Sequence, residues 1–524
     1  MVTTASGTTL ADAVAEAAQL IASKVPDAGV GQGRLELDLP TSAVSADLGS
    51  EKEEPITAMG LGGVLVARDD GKSAAVLPGE IIDRRLFHDN EGRGATLDRG
   101  KLRALLAARA GVDEPSLDAM RAYRFRADVH VESATRDAAL PVFRGMVARP
   151  AQADVAGLLT AVRRGADYLV RITKADGRFV YLYHPLEDRD DRAYGWLRHA
   201  GTTYALLEAY EELGTPAYLE KAELALSALR SNLHDDAESQ GKYALDTSDE
   251  EQQRAGGAGI ALVAFAKDAA VTGKRVDLET MRALARFIMK QQYADGHFRD
   301  NADIAKDGEK LKKEVIYYAG EATLGLMRLY AIDPQPAYLD SARRAASWVI
   351  DVRDAPVSED NQQHDHWMSY ALNELYRVTG DDAYLQHAYK IARAIERKER
   401  GKDAPEPDLV GTFYDGVTTP AATRLEALDA DIVLSRYAGK PADWLLGAAK
   451  DTACHILGQQ FDDDDSYWLP NPAKAAGGVR ESLYAADVEI DYVQHAMSAW
   501  LHLARILRDP AYGATGVPSQ DPAR

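Results

Sequence analysis

The stretch YALLEAYEELGTPAYLEKA (Tyr204–Ala222) returns as YALNELYRVTGDDAYLQHA (Tyr370–Ala388), nearly residue for residue. Each copy reads as one helix, a tight turn at Gly214 or Gly380, and a second helix opening on an Ala-Tyr-Leu step. Glycine suits that point because the residue after a last helical turn adopts a left-handed conformation that a Cβ disfavours. The second half of the unit recurs as DPQPAYLDSARRAA (333–346) and GKPADWLLGAAKD (439–451). A helical hairpin repeated along a chain signals a repeat architecture, and it governs the sequence from about residue 150 onward.

Working outward from these copies, the pattern predicts twelve helices, near 153–173, 197–213, 217–233, 256–271, 277–292, 316–331, 337–354, 365–379, 383–399, 419–437, 442–461 and 489–508. They alternate in character. AYLEKAELALSALRSN carries charge on one face, whereas GGAGIALVAFAKDAA is small and apolar on nearly every face. A helix apolar all round must itself be enclosed, so the second set forms an inner ring and the first an outer one. The fold class is therefore mainly α, an (α/α)6 toroid over residues 151–510. An open solenoid is the alternative, disfavoured because the last inner helix lacks a polar capping face. Inner-to-outer turns take a few residues, while the reverse connections are long, as in KADGRFVYLYHPLEDRDDRAYGWLR and FDDDDSYWLPNPAKAAGGVRESLYAADVEI. Long loops in compact domains are usually functional. These gather where the inner helices begin and should build the mouth of a funnel. The FDDDD run (Phe461–Asp465) is expected to be a solvated turn.

Residues 1–150 read differently. GRLELDLP, GGVLVARDD, SAAVLPGEI and AYRFRADVHVES are short strand-like runs, with helices near LADAVAEAAQLIAS and DRGKLRALLAARAG, giving a small α/β domain of structural or docking role. Residues 511–524 are expected to form a frayed tail.

Lys+Arg 61 against Asp+Glu 82 gives a net charge of −21, which argues against nucleic acid as a partner. The single cysteine, Cys454, excludes an intramolecular disulfide and a thiolate-rich zinc site, and its helical neighbours suggest a buried structural thiol. No continuous apolar run of membrane-spanning length is evident, and the N-terminus lacks the basic start and apolar core of an export signal. The chain as given reads as cytoplasmic, although a signal already removed would leave the same sequence.

Aligning the repeats shows where polar chemistry collects. HDHW (His364, Asp365, His366, Trp367) falls on the positions of Arg198, His199, Ala200 and Gly201, and HAMSA aligns with HWMSY so that His495 occupies the repeat position of His366. YYAGEA opens another inner helix with Tyr317, Tyr318 and Glu321. First turns of helices favour anions and carboxylates, and a ring of them would surround one pocket with groups suited to a polyhydroxylated substrate. His366 and His495 are candidate proton carriers, and Glu321, Asp365, Asp415 and Asp491 are candidate catalytic acids. For Asp365 and Asp491 capping is the competing role. Arg198, His199, His364, Arg480 and the aromatics Tyr317, Tyr318, Trp367, Tyr414 and Tyr492 are candidate substrate contacts, the arginines for a uronate carboxylate. His364 and His366 lie two apart and so point to different sides of a helix, which argues against a metal; no cofactor is expected.

The ADGRF and ADGHF turns with the RHAG and YYAGEA helix starts resemble the six-hairpin toroid superfamily of glycoside hydrolases, polysaccharide lyases and sugar 2-epimerases. Within it, acylglucosamine and cellobiose 2-epimerases carry an HD start on one inner helix and a histidine on the last as a two-base pair. His364 with Asp365 and His495 look similar in placement, while YYAGEA stands where those enzymes have a further histidine. The order AAVLPGEI, DRGKLRALLAARAGV, YRFRADVHVE is faintly similar to the small domain named after the AMME syndrome region, with no site residue carried over. The resemblance implies a carbohydrate-active enzyme working in the funnel on an oligosaccharide or uronic-acid glycan by acid/base catalysis, as hydrolase, lyase or epimerase. A non-catalytic scaffold or glycan-binding module is the alternative of another class.

Overall fold

A computed structural model describes residues 34–48, 60–89, 95–147, 153–246, 252–253, 255–299, 316–413 and 416–514, with isolated residues between Asp12 and Ser23. Most of the helix expected near the N-terminus, and the tail from residue 515, lie outside the described residues.

The strand-like runs form an antiparallel sheet of β1 (Glu36–Ala46), β2 (Gly62–Ala67), β3 (Ser73–Val76), β4 (Arg121–Glu132), β5 (Ala139–Phe143) and β6 (Met146–Val147). β4 is the spine. β1 runs along one edge of it, from Glu36 opposite Val131 to Ala46 opposite Ala122, while β2 and then β5 share the other edge. Two helices, α1 (Pro78–Asp83) and α2 (Arg99–Ala110), complete the unit, and Val64, Val66, Ile82, Leu102 and Leu106 form its core.

Among the described residues, twelve long helices follow, besides one short turn of helix at Pro472–Ala475: α3 (Val155–Ile172), α4 (Trp196–Leu213), α5 (Pro216–Ser231), α6 (Ala255–Thr272), α7 (Leu278–Lys290), α8 (Tyr317–Ile332), α9 (Pro336–Trp348), α10 (His366–Thr379), α11 (Asp382–Lys398), α12 (Thr418–Tyr437), α13 (Asp443–Leu457) and α14 (Ile490–Arg508). The even-numbered helices pack in sequence, α4 on α6, α6 on α8, α8 on α10, α10 on α12 and α12 on α14; α14 then packs on α4 and closes the ring. Each odd-numbered helix lies outside its partner. α3, the first of them, packs on α14, the last inner helix, so the seam joins the beginning of the repeat to its end. The (α/α)6 toroid expected from the repeats is the fold observed.

Inner helices must approach closely, and small residues allow it. α6 begins AGGAG, and a Cβ on Gly259 would stand 2.5 Å from the carbonyl oxygen of Glu321 on α8. By length and hydropathy α6 is able to cross a membrane, contrary to the expectation that no segment would be, yet 72% of that stretch is buried inside the ring. Gly214 and Gly380 end α4 and α10 at φ 64° and 69°, the left-handed caps that permit the short inner-to-outer turns. Cys454 is half-buried on the outer helix α13, not fully buried as expected.

Because all six inner helices start at one end, the six long connections meet there, and the sheet docks onto two of them. Leu409, Leu483 and Tyr484 from those connections enter the sheet's own core. Arg126 pairs bidentately with Glu406 at 2.6–2.7 Å, and Arg144 and Arg85 pair with Asp408 and Asp487. The FDDDD run is part of this joint rather than a solvated turn. Asp464 accepts from Arg34 (3.1 Å) and the Ala134 amide (2.6 Å), Asp465 accepts from the Val147 amide (2.6 Å), and both Asp462 and Asp465 are buried. The donors that Asp462, Asp464 and Asp465 receive offset the repulsion between neighbouring carboxylates.

Candidate functional site

Helix starts deliver the site, as the aligned repeats implied. His366 opens α10, and His495 lies in the second turn of α14, two inner helices further round. Their rings stand 5.2 Å apart at 82°, and both are buried. Between these helices α12 contributes Glu426, 1% exposed, whose Oε2 lies 2.6 Å from His495 Nδ1 and 4.0 Å from His366 Nε2. Trp367 packs against both imidazoles, at 4.6 and 6.0 Å, and the half-exposed Tyr317 meets His366 edge-on at 5.6 Å. Burial, and then the neighbouring His495, hold His366 far below its usual value and therefore neutral. Burial pushes the Glu426 carboxyl up, against the pull of His495.

Below this triad a polar thread continues along the ring axis. Tyr370 Oη lies 3.3 Å from Glu426 Oε1 and 3.0 Å from His502 Nδ1; His502 Nε2 lies 3.0 Å from Glu208 Oε1, and Ser498 donates to Glu208 Oε2 at 2.8 Å. One hydroxyl proton serves one acceptor at a time, so the direction of the Tyr370 bond sets which of its neighbours holds a proton. Burial works to raise Glu208, but His502 beside it holds that carboxyl well below the usual range.

Above the triad, nearer the mouth, the start of α14 carries a second group. Arg198 Nη1 lies 2.8 Å from Glu489 Oε1 and donates to Tyr181 Oη at 2.7 Å, and its Nε lies 3.3 Å from Asp491 Oδ2. Burial, and then the charge of Asp491, push the Glu489 carboxyl up. Asp491 and His495 are four apart and share a helix face, which sets this acid pair one turn above the triad. On the far side of the ring, α8 places Glu321, 3% exposed, one turn in from Tyr317. Tyr318 and Glu321 both lie over Gly256 of α6, where a Cβ would come within 2.5 and 2.0 Å of them. Tyr492, half-buried, lies among Asp491, Glu481 and Glu489.

Four expected site residues have other tasks. His199 is fully buried: Nδ1 bonds the Tyr194 hydroxyl at 2.6 Å, Nε2 bonds the Ala225 carbonyl of the outer helix α5 at 2.9 Å, and burial pushes it down to about 4. It faces away from the axis because it is one position, about 100°, beyond Arg198. Arg480 is 1% exposed and bonds Gln459 Oε1 (2.8 Å) and the Arg144 carbonyl (2.9 Å), locking the last connection to the sheet rather than reaching a substrate. Asp365 caps α10, accepting from the Met368 amide at 3.0 Å and pairing with Arg353 at 3.4 Å; burial pushes it up to about 6. His364 accepts from Arg424 Nε at 2.7 Å and orients that guanidinium over Phe413; burial pushes it down to about 3. Asp415 and Tyr414 lie outside the described residues. Not anticipated from the sequence were Glu426, Glu489, Tyr370, His502 and Glu208. An acid such as Glu426 inside an inner helix was the available signal, since a carboxylate with no water must find a partner.

Residues 224–408 match the family model described as beta-L-arabinofuranosidase, GH127 catalytic domain. The fold is that of a six-hairpin (α/α)6 toroid. The toroid is similar to cellobiose 2-epimerase from Bacillus thermoamylovorans (14% identity, TM-score 0.51), over 67% of this chain and 98% of that one. It is similar also to an unsaturated glucuronyl hydrolase specific for heparin (14% identity, TM-score 0.51), over 68% and 99% of the two chains. The GH76 α-mannanase BT2949 of Bacteroides thetaiotaomicron matches at 15% identity and TM-score 0.49, over 67% and 97%. No curated protein sequence matches the chain.

Proposed function

We propose that this glycosidase-like toroid is a glycoside hydrolase that takes the end of a glycan into the mouth formed by the inner-helix starts. The observation that carries the reading is the two-level polar site: Glu489 and Asp491, both buried and both paired with Arg198, set one turn above a buried His-Glu-His group lined by Trp367 and Tyr317. Glycoside cleavage needs a proton donor for the departing oxygen and a carboxylate on the other side of the sugar ring. Glu489, whose carboxyl burial pushes up, supplies the first. Glu321 supplies the second, from α8 opposite α14 in the ring. The proton passes to the glycosidic oxygen as the bond to the anomeric carbon breaks, and water completes the hydrolysis. Trp367 and Tyr317 offer ring faces for a sugar, and Arg198 offers a fork to hydroxyls or a uronate.

A panel of aryl glycosides and natural oligosaccharides, with reducing-end and chromatographic product analysis, tests this. β-L-Arabinofuranosides head the panel because the family model points to them; unsaturated uronides and α-mannosides follow. Release of a free sugar, lost in Glu489→Gln, is the expected result. A product of unchanged mass with an inverted centre would move the chemistry to an epimerase, and no turnover or binding of any glycan would leave a scaffold.

A further inference from the structure

We infer that His366, Glu426 and His495 form a binding site for a divalent transition-metal ion, independently of whether the substrate is a glycoside. One donor atom from each residue lies within 4.8 Å of the other two, and all three residues are buried. Donors around a zinc-like ion, each about 2.0–2.2 Å from it, lie roughly 3.3 Å from one another. The spacings of 2.6 Å and 4.0 Å from the Glu426 oxygen to the two imidazoles bracket that value, and side-chain adjustment alone would complete the shell. Three inner helices, α10, α12 and α14, supply one donor each, and ring closure fixes their mutual distance.

A second observation points the same way. His366 is 2% exposed, yet neither ring nitrogen has a hydrogen-bond partner. Leaving a buried imidazole unserved carries a desolvation cost that native interiors rarely tolerate. The ion removes that cost by taking a nitrogen lone pair. Two imidazoles and one carboxylate suit zinc, iron, cobalt or nickel in place of calcium or magnesium. The Tyr370 hydroxyl, 3.3 Å from the other Glu426 oxygen, serves as the outer partner that orients a metal-bound carboxylate. Three protein donors leave at least one position open, as in sites where a metal meets water or substrate.

The full chain, stripped with chelator and returned to metal-free buffer, is titrated with Co2+ and with Zn2+. The expected result is one ion per chain by calorimetry, a visible Co2+ absorption typical of four or five ligands, and a raised unfolding temperature. His366→Ala and Glu426→Gln should each weaken Zn2+ binding by at least about 100-fold, while His234→Ala, at an exposed histidine of the strand Leu233–Asp236, should leave it unchanged. Circular dichroism reports whether each variant folds, and the wild-type titration stands without them. Absence of one-per-chain uptake by the wild type, or uptake that survives in both folded variants, would overturn the site.

Discussion

Replacing Gly259 and Gly257 by alanine, one at a time, tests the ring itself. Both lie in α6 and both are buried, but their surroundings differ. A Cβ at Gly259 would meet the Glu321 carbonyl oxygen at 2.5 Å, its carbon at 2.6 Å and the Ala322 nitrogen at 2.7 Å, all backbone atoms of α8. Gly325 of α8 faces back, with its own Cβ position 2.7 Å from the Gly259 oxygen. The new methyl would sit about 0.9 Å inside ordinary contact, and no side chain can swing aside; two central helices must separate. Overpacking of this sort costs about 1–3 kcal/mol, and more where backbone blocks the way, so about 3 kcal/mol is expected. At Gly257 a Cβ meets nothing within 4 Å, and alanine gains about 1 kcal/mol of helix propensity. The variants should therefore differ by about 4 kcal/mol, close to a thousandfold in the unfolding equilibrium. Urea unfolding followed by circular dichroism and tryptophan fluorescence reads the difference. Equal midpoints, or a Gly259→Ala protein as stable as the wild type, would refute the close α6–α8 approach.

Further outcomes concern buried charge. Glu208→Gln removes the anion between His502 and Ser498 and should cost about 3 kcal/mol, part of which returns when His502→Gln is added, as a double-mutant cycle in urea would read. Asp354 is buried, but His387 (3.0 Å), Arg353 (2.7 Å) and Gln362 (2.8 Å) hold its carboxyl far below the usual range. Its contribution is full above about pH 4, the unfolded value, and is lost as pH falls through the folded one; Asp354→Asn should flatten the acid limb of a stability–pH curve. Glu399 has the opposite sign: burial, and then Asp451, push it up to about 7 from 4.5, so it weakens the fold as pH rises through that window. Glu399→Gln should raise stability at pH 8 by about 1 kcal/mol, after discounting for partial exposure, and change nothing at pH 4.

Helix positions were legible because the repeats carry their own punctuation: Gly214 and Gly380 mark one turn, Pro216 and Pro336 the next start, and the observed helices begin and end close to the expected residues. Ring order followed from the contrast between amphipathic and uniformly apolar helices. The site was legible only in part. A shared repeat position implied that His366 and His495 lie together, as their rings 5.2 Å apart do, but Glu426 lies in TTPAATRLEALDADIVLSRY, whose acids look like the solvated face of any helix until the ring encloses them. His199 shows the converse limit: a helix start identifies the neighbourhood, and one residue's rotation about the axis decides whether a side chain meets the cavity or the outer helix. Arg480 and the FDDDD run were misjudged because their partners, Arg144, Arg34 and Ala134, are more than 300 residues away, and no local pattern carries that information.

The most direct measurement is the steady-state hydrolysis rate of the best glycoside from the panel for wild type, Glu489→Gln and Glu321→Gln, each confirmed as folded. A fall in kcat of at least about 100-fold in both variants with KM little changed is the expected result, since a proton donor and a facing carboxylate act on the transition state. Wild-type kcat in both variants would contradict it and place the chemistry elsewhere in the ring.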